Sequence, residues 1–187
     1  MTRIYFVRHA KPDYTIHDDL IRPLTEEGLR DCLKVKEFLI DKNIDKVFSS
    51  PYKRTFDTVK GLAESLKLDI NVVEDLRERK IDDVWIEDFN SFAKEQWNNF
   101  DYKLANGENL NEVQRRNIKA LEQILKDNVD KNIVIGTHGT ALGTIINHYD
   151  KSFDYSQFDR IKNLMPFIVC MKFKDMEMIE IEEFSLL

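Results

Sequence analysis

Two short apolar runs, each ending at a histidine, constrain this chain more than anything else in it. Ile4-Tyr5-Phe6-Val7 leads into Arg8-His9-Ala10, and Ile133-Val134-Ile135-Gly136 leads into Thr137-His138-Gly139-Thr140. A short continuous apolar run is the pattern of a strand covered on both faces, as in a parallel sheet between helical layers. If the two strands are neighbours, both histidines stand beyond the carboxyl edge of the sheet, where open α/β folds bind ligands. Arg8 beside His9 makes phosphate the natural guest, because a guanidinium fork grips its oxygens.

The rest of the chain alternates in period. Thr25 reads as an N-cap with Glu26 and Glu27 in the first turn of a helix. The inward face of that helix is expected along Leu29, Cys32, Leu33, Lys36 and Leu39 or Ile40, ending near Asn43. Lys46–Ser49 and Ile70–Val73 read as further strands. Between them lies a helix with Phe56, Val59, Leu62, Ala63 and Leu66 on one side. Leu110 to Val129 carries helical spacing. Phe167–Phe173 and Met178–Phe184 read as an antiparallel hairpin closing one edge. This order predicts a single domain over residues 1–187, a three-layer α/β/α sandwich on a mostly parallel sheet with an antiparallel edge strand. The acidic, aromatic stretch from Ile81 to Asn106 reads as a helical lid or insertion over the crevice.

Charge narrows the function. With 28 basic and 34 acidic residues the net charge is −6, and no basic string is long enough for a nucleic-acid or anionic-membrane footprint. No stretch approaches the ~20 apolar residues of a membrane span, and the N-terminus lacks the apolar core of a signal peptide. Cys32 and Cys170, in no CxxC pair, read as small core residues in a reducing compartment. The expected setting is cytoplasmic, with a small phosphorylated molecule as partner. Oligomeric state is not legible.

Breaking a phosphomonoester without metal needs a nucleophile, cations for the equatorial oxygens and an acid for the leaving oxygen. His9 suits the first task and Arg8 the second. Arg54, in Ser49-Ser50-Pro51-Tyr52-Lys53-Arg54-Thr55, starts a helix after the second strand. A cation there opposes the helix dipole, a conflict that a bound dianion removes. His138 stands where a helix start offers free N–H groups to an anion. Glu78, after the third strand, is placed to donate a proton. Four histidines do not suggest a metal, since no HxxxH or carboxylate–histidine spacing is present and the arginines repel a cation.

These pieces together resemble the histidine phosphatase superfamily, the phosphoglycerate mutase-like proteins, from Arg3 to about Phe173. The resemblance rests on Arg8-His9-Ala10, the Ser49–Thr55 block, Leu76-Arg77-Glu78, Asn106-Gly107-Glu108-Asn109 with Arg115-Arg116, and Thr137-His138-Gly139. It implies a phosphoglycerate mutase-like fold and no cofactor. It further implies His9 as the phosphorylated nucleophile and Arg8, Arg54 and His138 as the phosphate pocket. Glu78 is implied as general acid and the Gly139 N–H as an added donor. The chain departs from the common pattern at Ala10, usually glycine. It also departs at Asn109, usually serine, and at Thr15, which aligns with a phosphate-contacting asparagine and so joins the substrate-binding set. The interval between Glu78 and Trp85 is filled by Asp82 and Asp83.

Weaker candidates surround this set. Glu108 lines the site or caps the long helix. Arg115 and Arg116 read as surface or structural, with a contact to Glu108 or substrate as the sharper option. His17 is placed to guard the mouth, and His148 sits at a helix C-terminus for structural reasons. The function expected is a metal-independent phosphatase working through phosphohistidine. The rivals are a phosphoglycerate mutase and a catalytically idle phosphate-binding or interaction module.

Overall fold

A computed structural model describes residues 1–186. Its sheet has six strands in the order β3-β2-β4-β1-β5-β6. They are β1 (Thr2–Arg8), β2 (Lys46–Ser49), β3 (Ile70–Val72), β4 (Asn132–Thr137), β5 (Phe167–Lys174) and β6 (Glu177–Ser185). The first four in spatial order are parallel, and β5 and β6 add an antiparallel hairpin beside β1. The helices are α1 (Glu26–Leu39), α2 (Lys53–Leu66), α3 (Phe89–Asn98), α4 (Leu110–Asp127), α5 (Gly139–Tyr149) and α6 (Tyr155–Ile161). None of the described helices is long and apolar enough to cross a membrane.

The alternation of side chains along the strands makes the three layers. Ile4 and Phe6 of β1, with Ile133 and Ile135 of β4, point to one face and pack against α3, α4, α5 and α6. Tyr5 and Val7, with Val134, point to the other and pack against Val35 and Leu39 of α1 and Val59, Leu62 and Ala63 of α2. The central strands are covered on both sides, which is why they read as unbroken apolar runs.

One helical face differs from expectation. Leu29 and Leu33 are more than half exposed; Leu39 is buried as expected, but α1 turns Gly28, Asp31 and Val35 inward with it. Gly28 sets this rotation. Its Cα packs on the loop after His9 so tightly that a Cβ would meet the Lys11 carbonyl oxygen at 2.4 Å. Thr25 does cap α1, accepting the Gly28 N–H at 3.0 Å. Helix α2 starts at Lys53, two residues past Pro51. Helix α6 was not expected at all.

The 81–106 stretch contains a single helix, α3, flanked by irregular chain. Its inner face is anchored: Trp97 stacks on Phe158 with centroids 5.2 Å apart and lies against Gly143 of α5. A Cβ at position 143 would meet the Trp97 ring at 2.9 Å, so glycine is required for this close approach. Trp85, by contrast, lies exposed at the front of the stretch.

Candidate active site

Strand register brings the two histidines together. Arg8 of β1 pairs with Thr137 of β4, so His9 and His138 are each the next residue at one sheet edge. The His9 N–H donates to the Thr137 carbonyl at 3.1 Å, and the imidazole centroids lie 5.4 Å apart, edge to face.

The His9 ring is buried and fixed. Its Nδ1 lies 2.8 Å from the Ala10 carbonyl oxygen. A carbonyl only accepts, so this bond requires the proton on Nδ1 and leaves the Nε2 lone pair for an electrophile. Burial first, then the charges of Arg54, Arg8 and Arg22, hold the His9 pKa well below the ordinary histidine value. The ring is therefore neutral, the form that can attack phosphorus. His138 is held low in the same way, by burial, Arg54 and His9. Its Nε2 meets the Ser50 hydroxyl at 2.7 Å, while Nδ1 is sealed from water with no partner among the described residues.

The Arg8 and Arg54 guanidinium groups lie nearest these rings, with Arg22 behind Arg54. Arg8 donates through Nη1 to the carbonyls of Ile161 and Leu164, at 2.8 and 3.2 Å. Helix α6 thus exists partly to anchor Arg8. The Arg8 Nε has no partner among the described residues, an unsatisfied donor that burial makes costly unless an anion completes it. Arg54 donates from Nη1 to the Asp19 carbonyl at 2.7 Å and from Nη2 to the Asp19 carboxylate at 3.2 Å. The same carboxylate oxygen accepts from Arg22 Nη1 at 2.8 Å. Arg22, 5% exposed, is a supporting residue that the sequence reading missed: its Nε and Nη2 donate to the carbonyls of Ile16 and His17, so it braces the loop and the Asp19 carboxylate that holds Arg54. It lies in a polar loop with no periodicity, and its one signal was an arginine fixed directly before Pro23. Tyr52 completes this wall, its ring 5.1 Å from His138 and 5.0 Å from the Arg54 guanidinium. Burial, with Asp19 nearby, pushes its phenol up to about 12, so it stays neutral.

Glu78 sits on the N-terminus of α5. Its Oε1 accepts the N–H groups of Arg79 and Ala141, at 2.8 and 3.0 Å, and its Oε2 accepts the Thr140 N–H at 2.9 Å. Two donors occupy Oε1 and one occupies Oε2, so the remaining lone pair able to handle a proton is on Oε2. Among the described residues the Gly139 N–H has no protein acceptor, as expected of the first turn of a helix. Gly139 also lets Arg8 pass close by: a Cβ there would meet the Arg8 Cζ at 3.0 Å.

The weaker candidates are now placed. Glu108 and Arg116 form a two-pronged pair, with both N–O distances 2.8 Å. Arg116 also donates to the carbonyls of Asp75, Arg77 and Glu78, so it fixes the segment that carries Glu78. Asn109 caps α4 in a reciprocal box with Glu112. Arg115 is exposed. His17 stacks on Trp85 with centroids 4.1 Å apart, joining the loop after β1 to the front of the 81–106 stretch. Thr15 is not brought to the histidines by any contact; it is exposed, and its N–H and hydroxyl both turn to the Asp13 carboxylate. The polar loop curls on itself through Asp13, so both Thr15 donors are spent there and not turned toward the histidines.

The parallel part of the sheet thus brings two buried histidines, Arg8 and Arg54 together at its carboxyl edge, a crevice with the charge to receive an anion. The chain belongs to the histidine phosphatase superfamily (branch 1), whose family model matches residues 4–178. Among curated relatives, it is 25% identical to the uncharacterized phosphatase PhoE of Bacillus subtilis over 169 residues, covering 87% of this chain and 85% of PhoE. Among solved structures, it is similar to YhfR of Bacillus stearothermophilus, with a TM-score of 0.78 and 19% identity, covering 96% of this chain and 95% of that one. It is also similar to a phosphoserine phosphatase mutant of Entamoeba histolytica in complex with phosphoserine, with a TM-score of 0.77, 17% identity, and coverage of 96% and 94%.

Proposed function

We propose that this protein hydrolyses small phosphomonoesters through a phosphohistidine formed on His9, with no metal in the reacting centre. The observation that carries the reading is the His9 tautomer: a neutral ring pinned through Nδ1 to Ala10, with Nε2 left free in the field of Arg8 and Arg54. His9 Nε2 attacks phosphorus and the ester P–O bond breaks. Glu78 Oε2 delivers a proton to the leaving oxygen. Glu78 then takes a proton from water, whose oxygen attacks phosphorus and breaks the N–P bond to release inorganic phosphate. Arg8, Arg54 and His138 spread over the equatorial oxygens, and the Gly139 N–H adds one donor; none of this needs reorganisation during the reaction.

The phosphoserine-bound neighbour supports a small phosphorylated substrate. Unpaired Cys32 and Cys170 support a reducing, cytoplasmic setting. The test is turnover of p-nitrophenyl phosphate by wild type and His9→Ala, with vanadate as inhibitor. Wild-type turnover that vanadate blocks and His9→Ala abolishes is expected; a fully active His9→Ala protein contradicts the reading. Adding bisphosphoglycerate and 3-phosphoglycerate distinguishes hydrolysis from mutase chemistry by whether inorganic phosphate or 2-phosphoglycerate accumulates.

A further inference from the structure

Two hydroxyls packed against His138 decide where that ring keeps its proton. Ser50, Thr55 and His138 are fully buried, so their hydrogen bonds are made within the protein. Thr55 Oγ1 donates to the Tyr52 carbonyl at 2.7 Å, and a carbonyl only accepts, so the single Thr55 proton is spent there. Ser50 Oγ lies 2.9 Å from Thr55 Oγ1, and this contact is a hydrogen bond only with Ser50 as donor. Its one proton committed, Ser50 Oγ keeps two lone pairs. One accepts the Tyr52 N–H at 3.2 Å. The other faces His138 Nε2 at 2.7 Å, so Nε2 must carry a hydrogen. The reverse assignment sets lone pair against lone pair at one of these short contacts.

A neutral imidazole carries one N–H, so Nδ1 of His138 holds a bare lone pair. That atom is sealed from water without a partner among the described residues. With Nε2 spent on Ser50, Nδ1 is the nitrogen left to meet a phosphoryl oxygen, in a ring centred 5.4 Å from that of His9. A phosphoryl dianion offers only acceptors, and two facing lone pairs repel. The charges acting on the ring are cationic: Arg54 of α2, Arg8 of β1 and Arg116 of α4. The neutral His9 ring and Tyr52 phenol lie beside it, and Glu78 is held on the Thr140 and Ala141 N–H groups of the same helix start. The cations and burial hold the ring neutral, and the charge of a bound dianion opposes them.

We propose that Ser50 is a positioning residue that presents His138 as a proton acceptor, so that the site takes up one proton with each dianion it binds. The proton reaches Nδ1 from solvent, or arrives with an ester bound as its monoanion. Either route ends in an imidazolium that donates from Nε2 to Ser50 and from Nδ1 to a phosphoryl oxygen. This rests on the reading that His138 contacts the phosphoryl group.

The probe is sulfate, which stays a dianion between pH 6.5 and 8.5. Its inhibition constant against p-nitrophenyl phosphate is expected to rise about tenfold per pH unit, the slope of one proton. Nitrogen-15 NMR of histidine-labelled protein, with the His138 signals identified by their loss in His138→Gln, reads the ring directly. In wild type without sulfate, Nε2 should carry the hydrogen and Nδ1 none; with sulfate both should carry one. In Ser50→Ala nothing holds the hydrogen on Nε2, so the neutral ring donates from Nδ1 and the pH slope should flatten. A hydrogen on Nδ1 before sulfate is added, a bare Nδ1 with sulfate bound, or an inhibition constant independent of pH overturns the proposal. A full slope in Ser50→Ala overturns the part given to Ser50, and sulfate that does not inhibit an active enzyme overturns the whole. All these results spare the phosphatase reading while p-nitrophenyl phosphate is turned over; an enzyme with neither turnover nor sulfate binding overturns both. If Ser50→Ala does not fold, the wild-type spectra decide.

Discussion

Arg116 and Glu108 meet as a fork, guanidinium to carboxylate, with both contacts at 2.8 Å, and the rest of the Arg116 head grips the backbone that carries Glu78. Burial disfavours the Glu108 charge, but the Arg116 bonds, the Lys80 N–H and the Arg77 charge together hold its carboxyl below the ordinary range. Arg116 is thus a positioning residue for Glu78. Replacing it with alanine leaves the half-buried Glu108 without its fork and the Asp75, Arg77 and Glu78 carbonyls without this donor, at a stability cost of about 3 kcal/mol. The expected kinetic outcome is a fall in kcat for alkyl phosphates larger than the change in the inhibition constant of inorganic phosphate. Equal changes in both would place Arg116 in the phosphate pocket instead.

Glu78→Gln keeps the Oε1 acceptor and loses the proton that Oε2 must deliver. An alkyl alcohol needs that proton and a nitrophenolate does not. The variant should slow glycerol 3-phosphate turnover by about 100-fold or more, within the range of general acid catalysis, and p-nitrophenyl phosphate turnover by much less. Steady-state kinetics on the two esters settles the matter; equal slowing points to another acid.

His9 and His138 make stability depend on pH in a definite direction. Both pKa values are depressed in the folded chain, first by burial and then by neighbouring positive charge. In the unfolded chain each ring returns to about 6.5. As pH falls below that value the unfolded state binds protons that the folded state does not, so stability is full above about 6.5 and declines on the acid side. Urea midpoints measured from pH 7.5 down to 5.5 should fall for wild type and fall less for His9→Gln. The His9 ring signal, followed by NMR, should not titrate over this interval.

Gly139→Ala tests the close passage of Arg8. The added methyl carbon meets the Arg8 guanidinium at 3.0 Å, and Arg8 cannot retreat because Nη1 is fixed on Ile161 and Leu164. Displacing the fork by a few tenths of an ångström should lower kcat/KM by roughly tenfold or more, since positioning errors at a reacting centre are costly. The urea midpoint reports whether the loss is local.

What the sequence showed and what it hid follow from the range of the forces involved. β1 and β4 were legible because strands buried on both faces must be apolar throughout, and their neighbouring positions then carried His9 and His138 to one edge. The orientation of α1 was not, because it depends on Gly28 meeting the Lys11 carbonyl, a contact between segments that no helical period records. Arg79 was lost in the charged string Arg77-Glu78-Arg79-Lys80, where only the Phe89, Phe92 and Gln96 side chains of a later helix reveal which cation turns inward. Helix α6, short and with one buried pair in Phe158 and Ile161, offered too little pattern to find, yet the carbonyls at and after its end hold Arg8. The Glu108–Arg116 pair was visible as an option; its grip on the Glu78 backbone was not.

The central claim is that the phosphoryl group passes through His9. Acid-quenching is unsuitable because phosphohistidine is acid-labile, so the direct measurement is alkaline quench during steady-state turnover, proteolysis at high pH and mass spectrometry of the Thr2–Lys11 region. A phosphoryl group on His9 in wild type, absent from unreacted protein, is the predicted result. Continued turnover with the group on another residue, or a His9→Ala protein that hydrolyses at the wild-type rate, contradicts the account.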